Sequence, residues 1–195
     1  MTFKLAILAS GNGTDLDAVY AEMDSGQLPG VEIAVVLSDK EQAPVLEKAR
    51  ARGVRAEWVD PAGKTREDYD AELVQGVGQV DLVCLMGYMR ILSQVFVQAF
   101  PRQIINVHPA LLPKYGGNGW YGRKVHEAVL AAGEKESGMT IHYVDLGVDS
   151  GAMILQEKVP VLEDDTPETL KARVQEIEKK AYPEAIRRIL AERSV

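Results

Sequence analysis

The sequence predicts an α/β fold: a single-domain open twisted sheet whose N-terminal half is parallel and Rossmann-like. Three observations support this prediction. Short apolar runs rich in β-branched residues alternate with segments that have apolar residues at helical spacing. The first apolar run ends in a glycine-rich turn, as in mononucleotide-binding sheets. The last third of the chain has the pattern of two added strands and a long terminal helix.

The N-terminal half, residues 1–103, is predicted to be a nucleotide-binding layout in which each strand is followed by a helix. The predicted strands of the parallel part are residues 3–9, 31–37, 54–59, 81–86 and 104–107. The helices between them are predicted around residues 16–23, 45–49, 69–74 and 91–100. Pro101 ends the last of these helices, because proline lacks the N–H group that a helix interior needs.

The C-terminal half, residues 104–195, is predicted to contain a helix over residues 125–130 and strands over residues 139–144 and 152–161. Thr166 is a suitable N-cap for the terminal helix and Pro167 a suitable first residue. We expect Pro183 to break or bend that helix. No linker composition separates the halves, so residues 1–195 are predicted to form one domain.

Composition argues against several classes of function. Lys and Arg number 22 against 29 Asp and Glu, and the net charge of −7 disfavours binding of nucleic acid through an extended basic surface. Cys84 is the only cysteine and there are three histidines, so we expect no disulfide and no metal site. The apolar runs have strand length, which predicts no membrane span. The chain enters a strand directly after its start, without a signal peptide, so we expect a cytoplasmic protein.

The first candidate site is the glycine turn, defined here as residues 10–15, between the first strand and the first helix. Its glycines let the backbone approach a ligand, and the N–H groups at a helix N-terminus bind anions. The position favours a phosphate site, although a tight turn that only needs a positive φ is the structural alternative. Leu16 replaces the third glycine of the dinucleotide fingerprint, and no Gly-Lys-Ser/Thr of an ATPase follows.

The second candidate site is the end of the strand at residues 104–107. Asn106 and His108 have the same parity along this strand, so both are expected on one face at the carboxyl edge, where open α/β sheets bind ligands. A histidine there suits proton transfer near neutral pH, and an asparagine amide can donate to a developing oxyanion. A histidine that only caps strand-end carbonyls is the structural alternative.

Two loops of the C-terminal half are weaker candidates. In residues 145–151, Asp145 or Asp149 could orient a histidine and raise its pKa, whereas Asp and Gly also build ordinary turns. Residues 116–122 contain four glycines together with Trp120 and Tyr121. That segment is either a mobile cover for a ligand ring or an exposed hairpin tip.

Together these segments resemble the folate-dependent phosphoribosylglycinamide formyltransferase family, in order, from Lys4 to about Ile189. The motifs that carry the resemblance are residues 9–14 (ASGNGT), 87–92 (GYMRIL), 106–115 (NVHPALLPKY), 138–144 (GMTIHYV) and 148–151 (VDSG). The pattern Asn-x-His-Pro-x-Leu-Leu-Pro marks formyltransferases in general. The glycine turn and the short length narrow the resemblance to the glycinamide ribonucleotide branch.

The resemblance implies that 10-formyltetrahydrofolate, as a co-substrate, gives its formyl group to the amine of glycinamide ribonucleotide in purine biosynthesis, without a metal. It assigns acid–base catalysis to His108, oxyanion stabilisation to Asn106, and the protonation of His108 to Asp149. The expected partners are these two small molecules, with no nucleic acid and no membrane. The protein is expected to be a monomer or a homodimer.

The resemblance also implies binding residues, and it makes residues 104–195 the catalytic and folate-binding half. Thr140 and His142 match positions that support the site. The residues matched to ribonucleotide binding are Gly13, Thr14, Asp15 and Glu178. The residues matched to folate binding are Arg66, Met89, Arg90, Ile91, Leu92, Asn106, Asp145 and Val148.

The chain departs from the family pattern at two places. Thr14-Asp15 stands where Ser-Asn is common, and we expect Asp15 to cap the first helix or to turn toward the ribose. Residues 116–124 form a longer loop than the family's usual one. Three other functions fit parts of the sequence. They are another formyl-folate enzyme that transfers to a different amine or to water, a nicotinamide-dependent oxidoreductase, and a non-catalytic nucleotide-binding module.

Overall fold

The computed structural model describes residues 2–193 of the chain, and that range contains seven strands and six helices. The strands are β1 Phe3–Leu8, β2 Val31–Ser38, β3 Arg55–Trp58, β4 Leu82–Leu85, β5 Ile104–His108, β6 Glu136–Tyr143 and β7 Met153–Pro160. The helices are α1 Thr14–Asp24, α2 Pro44–Ala51, α3 Arg66–Val77, α4 Gln94–Ala99, α5 Arg123–Ala131 and α6 Pro167–Arg193. The chain divides into two compact units between Asn106 and Val107.

The first unit is a parallel sheet with the strand order β3-β2-β1-β4-β5. The order reverses beside β1, which pairs with β2 on one side and β4 on the other. In sheets of this kind the crevice beyond the carboxyl ends of the strands, at the point of reversal, is where ligands bind. The glycine turn begins at the carboxyl end of β1 and therefore occupies this position.

The strands β1, β2 and β4 of the first unit are mainly apolar because both faces of the sheet are covered there, whereas the edge strand β3 is mostly exposed. Residues 5–9 are fully buried, and all four residues of β4 are buried. The helices α2 and α3 pack against β2. This burial fixes the end of β1, from which the glycine turn projects.

The second unit is built on the antiparallel pair β6 and β7, against which α6 packs, and α5 packs on α6. The predicted start of α6 is confirmed. Pro167 is its first residue, and the Thr166 hydroxyl accepts a hydrogen bond from the Thr169 N–H at 3.3 Å. The carboxylate of Asp165, just before the cap, accepts two hydrogen bonds from the Arg173 guanidinium at 2.6 and 2.8 Å.

The structure confirms the α/β class, the parallel first half, and the added strands and long helix of the second half. One detail of the sequence prediction is wrong, and a second, the break or bend expected at Pro183, is excluded only as a break. The helix expected at residues 91–100 begins only at Gln94, because the Ser93 N–H donates to the buried Asp70 carboxylate and holds the chain before it in another conformation. The helix α6 continues through Pro183, where burial of Pro183 and Tyr182 outweighs the propensity cost of the proline. Within residues 2–193, every helix is too short or too polar to cross a bilayer.

Candidate active site

His108, the last residue of β5, lies in a buried polar cluster of the second unit. Its Nδ1 is 3.3 Å from Asp149 Oδ2, and its Nε2 is 2.7 Å from the backbone carbonyl oxygen of Tyr115. On the other side of the carboxylate, His142 Nε2 is 3.5 Å from Asp149 Oδ1. We call His108, Asp149 and His142 the His–Asp cluster.

The two neighbours of the His108 ring are both hydrogen-bond acceptors. A neutral imidazole has one N–H group, so both contacts can be hydrogen bonds only when the ring is protonated. Burial lowers the pKa of His108 below its ordinary value, and the Asp149 carboxylate and the Tyr115 carbonyl oppose that effect without cancelling it. The ring is therefore held between a desolvated site that favours the neutral form and contacts that favour the charged form.

Asp149 is present as a carboxylate. Burial raises its pKa, but the hydrogen bond from His142, the charge of His108 and the Gly117 N–H outweigh burial and hold the pKa below its ordinary value. The Gly117 N–H donates to Oδ2 at 3.0 Å. Asp149 itself has a φ of 56°, a left-handed conformation that Asp adopts more readily than most residues.

The loop between β6 and β7 explains how Asp149 reaches the histidines. Asp145 builds this loop, because its Oδ1 accepts hydrogen bonds from the Gly147 N–H at 3.0 Å and from the Ser150 hydroxyl at 2.7 Å. A Cβ atom at Gly151 would lie 1.8 Å from the Tyr143 carbonyl oxygen, so only glycine fits there. Of the two aspartates considered from the sequence, Asp149 contacts the histidines and Asp145 shapes the turn.

Sequence reasoning missed the contributions of Tyr115 and Gly117, because both act through backbone atoms. The chain turns back at Tyr115, which has a φ of 55°, and this brings its carbonyl oxygen to His108. At Gly116, a Cβ atom would lie 2.4 Å from Leu112 Cδ2, so the glycine permits a close approach of two parts of the same turn. The glycine pair after Tyr115 was the available signal, but it did not specify a partner.

The glycine turn of the first unit is held by backbone geometry and by two polar contacts. Gly13 is the N-cap of α1, with a φ of 69°, and a Cβ atom there would lie 2.5 Å from Val45 Cγ2. The Ser10 hydroxyl donates to the buried Asp39 carboxylate at 2.6 Å and accepts from the Met89 N–H at 3.0 Å. Both the φ and the close neighbour require glycine at position 13.

Thr14 and Asp15 are the first two residues of α1. Because Gly13 is the N-cap, the expectation that Asp15 caps this helix is wrong. Asp15 is 7% exposed and lies in the first turn, where the helix dipole favours a negative charge. An anion bound at this turn would share the same N-terminal field with the Asp15 carboxylate.

Four of the folate-binding residues predicted in the first unit are an apolar pair and a basic pair. Met89 and Ile91 are 54% and 51% exposed in the segment between β4 and α4, which is unusual for large apolar side chains. The Arg90 guanidinium stacks over the Tyr69 ring at 4.8 Å. Arg66 is the first residue of α3 and is exposed to solvent.

The remaining predicted residues are distributed over both units. In the first unit, Leu92 is half-buried, and Asn106 lies two residues before His108 on β5 with the same parity. In the second unit, Val148 is half-buried beside Asp149, and Glu178 is a buried residue of α6. Among the described residues, no group of three His, Cys, Asp or Glu side chains could hold a metal ion.

Comparison with known proteins gives one consistent family. Residues 3–186 match the family model described as formyl transferase. The chain is 41% identical over 187 residues to the trifunctional purine biosynthetic protein adenosine-3 of Drosophila melanogaster, covering 94% of this chain and 14% of that protein. It is 40% identical over 196 residues to the chloroplastic phosphoribosylglycinamide formyltransferase of Arabidopsis thaliana, covering 97% of this chain and 66% of that protein.

The fold is also similar to that of solved structures. The structure of glycinamide ribonucleotide transformylase 1 from Symbiobacterium toebii matches with a TM-score of 0.88 and 43% identity, over 95% of this chain and 86% of that chain. The Drosophila and Arabidopsis relatives are longer, and this chain spans less than two thirds of either.

Proposed function

This chain belongs to the formyl transferase family, and we propose that it transfers the formyl group of 10-formyltetrahydrofolate to the amine of glycinamide ribonucleotide. The observation that carries the proposal is the placement of His108 between the Asp149 carboxylate and the Tyr115 carbonyl. A relative that matches most of this chain is named for the same reaction.

The reaction requires one proton to leave the attacking amine and one to reach the leaving nitrogen of the folate. His108 performs both proton transfers. Its neutral ring takes a proton from the amine, and its protonated ring gives a proton to the leaving nitrogen. No net proton is gained or lost. Asp149 stabilises the charged ring, because an ionised carboxylate next to an imidazole favours its protonated form.

Attack on the formyl carbon places a negative charge on the formyl oxygen. Asn106 donates its side-chain amide to that oxygen, since it lies on β5 with the same parity as His108. The residues supply acid–base and electrostatic catalysis, and the rest of the acceleration comes from holding two substrates in line. This chemistry does not require a metal ion.

The binding assignments rest on the same family relationship. We assign the ribonucleotide phosphate to the glycine turn, with Gly13, Thr14 and Asp15, and its glycinamide end to Glu178. Helix N–H groups and a glycine with a positive φ support an anion at the turn. The exposed apolar side chains of Met89 and Ile91 support a flat apolar ligand such as the pterin of the folate. We assign Arg66, Arg90, Leu92, Asp145 and Val148 to the same ligand.

A hydrolase is the second candidate, because the His–Asp cluster would activate water as readily as an amine. One assay distinguishes the two: the ultraviolet change as 10-formyl folate loses its formyl group, with and without glycinamide ribonucleotide. Loss that depends on the ribonucleotide supports the transferase. Loss without it establishes a hydrolase, and no loss in either condition refutes both.

A further inference from the structure

A half-buried polar network lies beside the His–Asp cluster and has no role in the chemistry above. The Thr140 hydroxyl, on β6, donates to the Ala110 carbonyl at 2.7 Å and accepts from the Leu112 N–H at 3.2 Å. The Gln156 side chain, on β7, donates from Nε2 to the Leu112 carbonyl at 3.1 Å and to the Thr140 hydroxyl at 2.9 Å. Two strands therefore hold the same short turn, residues 110–112.

The turn at residues 110–112 lies within a longer segment, residues 108–117, which begins at His108 and contacts it again at Tyr115. The Ala110 N–H donates to the His108 carbonyl at 2.9 Å. After the turn, the Tyr115 carbonyl contacts His108 Nε2 and the Gly117 N–H contacts Asp149. The segment 108–117 is therefore tied to the His–Asp cluster near both ends, and to Thr140 and Gln156 in the middle.

We propose that Gln156 is a positioning residue for the formyl transfer: its amide group anchors the turn that presents the Tyr115 carbonyl to His108. Gln156 does not touch the reacting atoms and acts only through the turn. The proposal rests on the proposed function, since it assigns Gln156 to the reaction that His108 performs there.

The geometry explains why a glutamine is needed rather than any polar side chain. One NH2 group meets two oxygen atoms, the Leu112 carbonyl and the Thr140 hydroxyl, so it must donate twice. The Thr140 hydroxyl already gives its hydrogen to Ala110, so it cannot donate to Leu112 as well. Without Gln156, the Leu112 carbonyl loses this partner, and of the two side chains that hold the middle of the turn only Thr140 remains.

The charged surroundings of His108 do not change when Gln156 is replaced by methionine, whereas glutamate adds a charge, so only the methionine variant is used to titrate His108. The titratable groups that act on His108 are Asp149 and His142, and His126 also interacts with it electrostatically. Gln156 is uncharged at every pH. A change in the titration of His108 in Gln156→Met therefore reports displacement of the Tyr115 carbonyl, which favours the charged ring.

The experiment compares Gln156→Met and Gln156→Glu with the wild type. Methionine has a similar length and no polar hydrogen, and glutamate has the same shape but cannot donate when ionised. We expect both to lower kcat about tenfold, the scale of a small misplacement, with KM changed less than about twofold. Lys158→Met is the matched control, because it lies on the same strand and removes only an exposed ion pair with Glu136.

A second readout does not depend on turnover. We expect NMR titration of the His108 imidazole in the ligand-free protein to give a lower midpoint in Gln156→Met, and an unchanged midpoint in Lys158→Met. An unchanged midpoint in Gln156→Met overturns the proposal, and so does a lower midpoint with unchanged kcat. Failure of the proposed function appears separately, as a wild type without ribonucleotide-dependent turnover.

Discussion

The glycine turn and the His–Asp cluster both place polar groups at the end of a parallel strand, but they do so with different parts of the chain. The turn uses backbone: a φ of 69° at Gly13 and the N-terminus of α1. The cluster uses side chains from β5, from β6 and from the loop before β7. Backbone groups of residues 115–117 form hydrogen bonds with these side chains.

This difference predicts how amino-acid substitutions act at each site. At the turn a substitution acts by steric overlap and strain, so binding and stability change together. In the cluster a substitution removes a proton carrier or a charge, so turnover changes while binding and folding are largely kept.

The largest effect is expected from His108→Ala. Loss of the proton carrier should lower kcat by about two to four orders of magnitude, with KM for both substrates changed little. Steady-state kinetics measure this, with thermal unfolding as the control for folding. Turnover near that of the wild type would remove His108 from the mechanism.

His126, a histidine of the second unit outside the His–Asp cluster, tests how burial of a neutral imidazole affects the pH dependence of stability. Burial lowers its pKa to about 4, and among the described residues its Nδ1 has no hydrogen-bond partner. Between pH 7 and 5 the unfolded chain binds a proton that the folded protein does not. The free energy of unfolding should therefore fall by about 2 kcal/mol over that range from this residue.

Urea unfolding at the two pH values measures this loss, and His126→Gln should remove that part of it. His108, whose pKa is also lowered, contributes in the same direction and remains in the variant. An equal pH dependence in both proteins would contradict a buried neutral His126.

Asp149→Asn should lower kcat by about tenfold or more while keeping the loop, because Asn also adopts a positive φ. Without the carboxylate, the pKa of His108 falls further below its ordinary value. The protonated ring is then lost at a lower pH, so the high-pH limb of the kcat profile should move to lower pH. A profile that keeps its midpoint would reduce Asp149 to a turn residue.

Gly13→Ala should weaken the ribonucleotide site and the fold together. Its Cβ would overlap Val45, and the positive φ costs about 1–2 kcal/mol for a residue with a side chain. We expect a loss of stability of about 2 kcal/mol or more, with a higher KM for the ribonucleotide. Gly11→Ala is the stability control, because a Cβ there meets nothing within 4 Å. Equal stabilities of the two variants would show that the turn is not sterically determined.

The smallest effect is expected from Asp15→Asn. Removing a negative charge from the first turn of α1 should leave the affinity for the ribonucleotide equal or slightly higher, since an anion there no longer meets a carboxylate. Loss of the favourable dipole interaction should cost only about 0.3–1 kcal/mol of stability. Isothermal titration measures the affinity, and a large loss would mean that the carboxylate contacts the ligand productively.

The sequence predicted the parallel sheet and the positions of its strands because apolar periodicity records burial locally. Residues 5–9 are buried on both faces, and such a run has few other interpretations. The prediction failed at residues 91–93, and the break considered at Pro183 does not occur, because tertiary contacts override local preference at both places. For the candidate site, the residue types alone did not distinguish Asp145 from Asp149. The family resemblance assigned Asp149, and the folded loop shows that Asp145 builds the turn and Asp149 contacts His108.

What the sequence determined by itself is the class of fold, the glycine at position 13 and the presence of a histidine at the end of β5, because each depends on neighbouring residues. What only the tertiary structure decided is how the groups around that histidine are arranged, because the family resemblance assigned Asp149 but neither the Tyr115 carbonyl nor Gln156. Asp149, the Tyr115 carbonyl and the turn held by Gln156 come from separate segments of the second unit. Their distances depend on the closure of long loops, which the residue types along the chain do not encode.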